Sequence, residues 1–141
     1  MYAFAIYDKE TVEIFLARDH MGIKPLYYFN IDGKFAFSST LTALLEHGIK
    51  TEPNRKLIRD YLLYNITDHT VETFFNGLMK FPKGHYGVYS IKKKSLQLAQ
   101  WFDINKTVGT FSGSYEQAVQ ELSRGLGLEQ ARVVDRSQAG G

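Results

Sequence analysis

Cysteine is absent from all 141 residues. Its absence removes disulfides, thiolate metal sites and cysteine nucleophiles from the chain, and it agrees with a reducing compartment. Charge of one sign is scarce as well. The 17 Lys and Arg against 15 Asp and Glu leave +2, too little to imply a nucleic-acid partner. No apolar run approaches the ~20 residues of a membrane helix, and no basic stretch followed by an apolar core opens the chain as a secretory leader would. The expectation is a cytoplasmic chain with neither a nucleic-acid nor a membrane partner. A glycine-rich phosphate cradle is missing too: Lys24 follows a single Gly and precedes no Ser or Thr. His20, His47, His69 and His85 lack metal-ligand spacing, and no Ser-His-Asp set can be argued from position. The residues alone therefore offer no metal site and no active site.

What is present is a core and strand formers. A hydrophobic content of 44% and an aromatic content of 14% exclude a disordered chain, and the length suits one domain with a substantial core. Nine Tyr and ten Phe dominate the apolar set, which favours strands. "YAFAIYD" (2–8) is apolar at both alternating sets and reads as a strand buried on both faces. Termini usually lie at the surface, so Met1 reads as an internal methionine or a start placed too late.

"DKET" turns that strand into "VEIFLARD", a hairpin. Pro25 fixes a bend, "LYYFNI" forms a third strand, and Asp32-Gly33 turns it into "KFAFSS". The period then becomes helical. Leu41, Leu44 and Leu45 share one face between a Ser/Thr cap and Gly48, and Leu57, Ile58, Tyr61 and Leu62 repeat the pattern. "NGLMKF", "HYGVYSI" and "SLQLAQWFD" resume strand character around a Pro82-Lys83-Gly84 turn. "TVGTFSGS" reads as a linker, and Ser114 to Gln117 as a capping box opening a helix. The fold class expected is α+β, antiparallel sheets with helices.

Arg18 and Asp19 are the most suggestive charges. Adjacent strand residues point to opposite faces, so a mutual bond is disfavoured. Each could orient a ligand carboxylate or anchor the backbone of the Gly22-Ile23-Lys24-Pro25 bend, and because buried charge must be paired the second reading prevails. The run Lys92-Lys93-Lys94 reads as protection of a turn or edge. Tyr86, Tyr89 and Trp101 read as core rather than as a stacking platform for nucleic acid.

The phrase "YAFAIYD…FLARDHMGIKPLYYFNIDGKFAFSS…ALLEH", followed in order by "ITDHTVETFFNGLMKFPKGHYGVYSI" and "QWFDI", resembles the glutaminase domain of glutamine-hydrolysing asparagine synthetases. The resemblance covers about residues 2–124. It implies a partial N-terminal-nucleophile (Ntn) hydrolase fold, an αββα sandwich. Residues 1–106 would form part of the glutaminase domain, 107–124 a linker and the first helix of a synthetase domain, and 125–141 an unassigned, non-native tail arising from a shifted frame or from cloning.

In that family a Cys at the mature N-terminus attacks the carboxamide, its own α-amine acting as base, and backbone and Asn donors hold the oxyanion. None of these has a counterpart here, so no catalytic and no substrate-binding residue is assigned. Arg18, Asp19, Gly22, Lys24 and Pro25 match a different family phrase, and the resemblance gives them a scaffold role. The parent enzyme would use glutamine, aspartate and ATP with magnesium in a synthetase domain, and would be expected as a homodimer. This chain alone would be inactive. Two alternatives stay open: a non-catalytic interaction module binding through exposed sheet, and a relative that amidates a sugar-acid or peptide carboxylate.

Overall fold

The computed structural model describes residues 1–107, 109 and 111–125, in two compact units that divide after Ile104. The first unit holds two antiparallel sheets. Strands Ala3–Asp8 (β1), Glu13–Arg18 (β2), Tyr27–Ile31 (β3) and Lys34–Ser38 (β4) come first. Helices Leu41–Glu46 (α1) and Arg55–Tyr64 (α2) follow, then Leu78–Lys80 (β5), His85–Ser90 (β6) and Ser95–Gln100 (β7). One sheet has the order β1-β2-β6-β7, and the other β4-β3-β5. This is the expected α+β class.

Local chemistry sets the turns. The Asp8 carboxylate accepts the N–H groups of Glu10 (2.8 Å) and Thr11 (3.3 Å), closing the first hairpin. Asp32 and Gly33 both take positive φ, 52° and 70°, the mirror-image turn whose twist matches a hairpin. Asn54 caps α2, its side-chain oxygen accepting the Leu57 N–H at 3.4 Å.

The sheets pack face to face. Leu16, Leu26 and Phe81 form the buried centre, and Ile14, Tyr28, Phe35 and Leu96 pack against it. Phe35 of β4 stacks on Tyr89 of β6 with centroids 4.0 Å apart, and Tyr28 meets Phe81 edge-on at 5.9 Å. Gly87 packs closely here, since a Cβ on it would lie 2.9 Å from the Leu98 side chain and 3.1 Å from the Phe81 ring.

The outer faces differ. Behind the three-stranded sheet, Leu44 of α1 and Leu57 of α2 are buried together with Leu78 of β5. Behind the four-stranded sheet stand Tyr2, Phe4, Ile6, Tyr86 and Trp101, all exposed. Their rings run on in a chain: Trp101 to Tyr2, Tyr2 to Phe4, Phe4 to Phe15, Phe15 to Tyr86.

This corrects three expectations. The first strand is not buried on both faces: Phe4, Ile6 and Tyr7 are 41%, 56% and 52% exposed, because β1 is a sheet edge with one neighbour. Of the aromatics read as core only Tyr89 is (4% exposed), since Tyr86 lies an odd number of residues away and points outward. Leu62 does not join Leu57, being 74% exposed, because five residues on from Leu57 it has rotated past the buried face of α2.

In the second unit, Tyr115–Gly125 forms a helix (α3). Its capping box is reciprocal: the Gln117 side chain accepts the Ser114 N–H at 2.9 Å, and the Ser114 hydroxyl accepts the Gln117 N–H at 3.4 Å. Of the segment read as a linker, 108 and 110 lie outside the described residues. Of the segment read as a tail, Gly125 ends α3 and 126–141 lie outside the described residues.

Candidate functional site

β2 delivers Arg18 and Asp19 to the point where β1 begins, the 20–25 loop bends and the chain turns at 82–84. Arg18 donates to three backbone carbonyls: Lys24 from Nε (2.8 Å), Gly22 from Nη2 (2.6 Å) and Phe81 from Nη1 (2.6 Å). Asp19 is fully buried. Its carboxylate accepts four backbone N–H groups, from Tyr2 (3.2 Å) and from Met21, Ile23 and Lys24 (3.1 Å each). Its own carbonyl accepts from Gly22 (3.1 Å) and Gly84 (3.0 Å), and its N–H donates to Tyr2 (2.9 Å).

Burial opposes charge on the Asp19 carboxyl, but the donors from Lys24, Ile23, Tyr2 and Met21 outweigh it and hold the group well below the usual carboxylate range. Burial also weakens the Arg18 proton affinity, and the Asp19 charge beside it opposes that effect. The pair therefore acts as a clasp. Each side chain is directed at main chain, and Asp19 has no surface left with which to meet a ligand.

Gly22 sits at φ +69°, and a Cβ there would come within 3.0 Å of Lys83 and 3.2 Å of the Arg18 guanidinium, so only glycine closes this loop without strain. Lys24 contributes its backbone N–H and C=O, while its side chain is exposed. Pro25 is exposed at the end of the bend, next to Leu26, whose carbonyl accepts the Phe81 N–H at 2.7 Å. The structure thus brings Arg18, Asp19, Gly22 and Lys24 into one network, with Pro25 at its exit.

Two residues that sequence reasoning missed matter as much. Thr73 is buried, with its hydroxyl 2.7 Å from the Leu78 carbonyl and 3.1 Å from that of Phe75, and it fixes the loop that feeds β5. Lys80 meets the Asp68 carboxylate and donates to the Thr67 carbonyl at 2.9 Å, and the contact with Lys80 holds the Asp68 carboxyl below its ordinary pKa, first by hydrogen bonding and then by charge. A cavity of about 210 Å³ opens beside them, lined by Tyr27, Leu41, Leu57, Glu72 and Phe74. A larger groove of about 750 Å³ runs along Arg18, Gly22, His69 and Lys83.

No Cys nucleophile exists in the chain, and among the described residues no cluster of His, Asp and Glu could hold a metal ion. No described helix is long and apolar enough to cross a membrane. The arrangement can support a reaction by holding backbone in place.

Comparison with known proteins agrees with the phrase-level resemblance. A protein of Methanocaldococcus jannaschii provisionally named asparagine synthetase (glutamine-hydrolysing) 1 is 56% identical over 140 residues, covering 96% of this chain and 23% of its own length. A second from the same organism, provisionally named asparagine synthetase (glutamine-hydrolysing) 2, is 37% identical over 99 residues, 70% of this chain and 16% of the relative. The Penicillium rubens protein named Amidase chyE is 29% identical over 133 residues, 94% of this chain and 19% of its own. The chain thus spans about a fifth of the length of these curated relatives. Residues 1–102 match the family described as the glutamine amidotransferase domain, and with the two sheets and the clasp between them accounted for, this chain belongs to that glutamine amidotransferase family.

Proposed function

We propose that this chain is the scaffold portion of a glutaminase domain in a glutamine-hydrolysing asparagine synthetase, with the attacking cysteine carried by other residues of the whole protein. The Arg18–Asp19 clasp is the observation that carries the reading. It ties the start of β1, the 20–25 loop and Phe81, just before the 82–84 turn, through seven side-chain bonds, three from Arg18 and four to Asp19. A carboxamide is a weak electrophile, so its hydrolysis depends on fixed placement of nucleophile and oxyanion donors. A buried clasp of this kind keeps a sheet corner rigid for that purpose. Arg18, Asp19, Gly22, Lys24 and Pro25 serve here as positioning residues. ATP and magnesium would be used by a synthetase part of the whole protein, with aspartate as acceptor.

Two measurements test this. Purified chain incubated with glutamine should release no ammonia above a buffer control, and turnover would overturn the assignment of a nucleophile elsewhere. The full-length gene product, given glutamine, aspartate and Mg-ATP, should form asparagine. Formation of ammonia without asparagine would favour a different acceptor, a second reading that gains weight from the similarity to a fungal amidase over 94% of this chain.

A further inference from the structure

The groove of about 750 Å³ beside the clasp has no part in the scaffold role. Its volume falls within the ~300–1,000 Å³ of small-molecule sites. Its lining joins three cations, Arg18, Lys80 and Lys83, to the apolar Met21 and Val71, which are 47% and 43% exposed. We infer that this groove binds a small phosphate monoester, with the phosphate on Arg18 and Lys83 and an apolar body along Met21 and Val71.

The clasp leaves donors over. A guanidinium donates once from Nε and twice from each terminal nitrogen. Arg18 commits Nε to the Lys24 carbonyl and one N–H of each Nη to Phe81 and Gly22. One N–H on each Nη is left without a partner among the described residues. Two such donors on one planar group suit an anion with paired oxygens. The three main-chain bonds already hold the guanidinium still, so a ligand meets a fixed donor pair and little side-chain freedom is lost on binding.

Lys83 adds the second charge. Its Cβ and the Arg18 Cζ lie 3.0 and 3.2 Å from the point where a Gly22 side chain would begin, so both residues abut the same glycine. The Lys83 ammonium has no acceptor among the described residues, whereas the neighbouring charges are matched. Lys80 meets Asp68, and His69 meets Asp60 at 3.3 Å. Asp19, behind Arg18, directs its carboxylate at four backbone N–H groups. The groove therefore carries a surplus of positive charge. A phosphate monoester brings about two negative charges and three acceptor oxygens, enough for both Arg18 donors and the ammonium together. A carboxylate has one oxygen fewer. The exposed faces of Met21 and Val71 call for more than a bare anion, since apolar surface there gains from being covered.

Titration of the isotope-labelled 141-residue chain with phenyl phosphate tests this by NMR. The Gly22 and Val71 amide signals should shift saturably, with a Kd of roughly 0.1–1 mM. Inorganic phosphate, which lacks the body, and benzoate, which lacks the third oxygen, should each bind about tenfold more weakly. No saturable shift up to about 20 mM phenyl phosphate would overturn the inference. Benzoate binding as tightly would replace it with a carboxylate site, and inorganic phosphate binding as tightly with a bare-anion site. Lys83→Met removes an exposed side chain outside the clasp. It should keep the circular dichroism of the wild type and weaken phenyl phosphate at least about fivefold. Lys92→Met, at the opposite end of β6, should leave the affinity unchanged. Wild-type affinity in Lys83→Met, or an equal loss in both variants, would show that no built site exists. Each outcome is independent of glutamine turnover.

Discussion

The two sheets share a core but face the outside differently. The three-stranded sheet carries α1 and α2 on its back, burying Leu44, Leu57 and Leu78 to 3%, 2% and 0% exposure. The four-stranded sheet leaves Tyr2, Phe4, Ile6, Tyr86 and Trp101 exposed on its back, although all five are large apolar side chains. Hydrophobicity of a strand therefore does not decide how deeply it is buried. The layer behind it does.

Truncation should make the contrast measurable. Leu78→Ala, behind the covered sheet, should cost about 2–5 kcal/mol by urea denaturation, the range for a fully enclosed leucine. Asp19→Asn should follow at about 2–4 kcal/mol, because a neutral amide keeps one acceptor where the carboxylate served four donors.

The same residue fixes a pH signature. The folded Asp19 carboxyl is held below its ordinary value, so its contribution is fully present at neutral pH. It declines as pH drops below about 4, where the unfolded chain takes up a proton that the folded chain refuses. Between pH 4 and 2 the wild type should lose stability more steeply than Asp19→Asn, and parallel slopes would mean that the clasp carries no such charge.

Ile6→Ser, on the bare face, should change stability by less than about 1 kcal/mol while reducing binding of an apolar dye. A loss as large as that of Leu78→Ala would show that something covers this face. The smallest effect belongs to the first hairpin, where Val12 sits at φ +61°, a region that β-branched residues avoid. Val12→Gly should stabilise by up to about 1 kcal/mol, read as a rise in the urea midpoint.

Much of this was readable in the residues. Asp32-Gly33 specified its turn because the requirement for two positive φ values is local. Ser114 and Gln117 specified their cap because the partners are three residues apart. The anchoring of the 22–25 bend by Arg18 and Asp19 followed from the cost of unpaired buried charge. Other features depended on partners distant in sequence. Arg18 finds the Phe81 carbonyl 63 positions later, and no local pattern announces that. Thr73 sits in an aperiodic loop, where a single hydroxyl carries no signal of its burial. The exposure of β1 was illegible for a further reason: the same seven letters would be core beneath a covering layer and are surface without one.

The link from Arg18 to Phe81 also sets an order of events during synthesis. The second strand leaves the ribosome long before its last fastening exists, since 63 more residues must be joined first. At about 5–20 residues per second that interval lasts several seconds. Throughout it the first hairpin emerges with its corner unlatched and its sheet neighbour, β6, not yet made. A nascent chain stalled before residue 81 would thus present a greasy ribbon to every neighbouring polysome product, which makes chaperone capture at that length the natural companion of this fold.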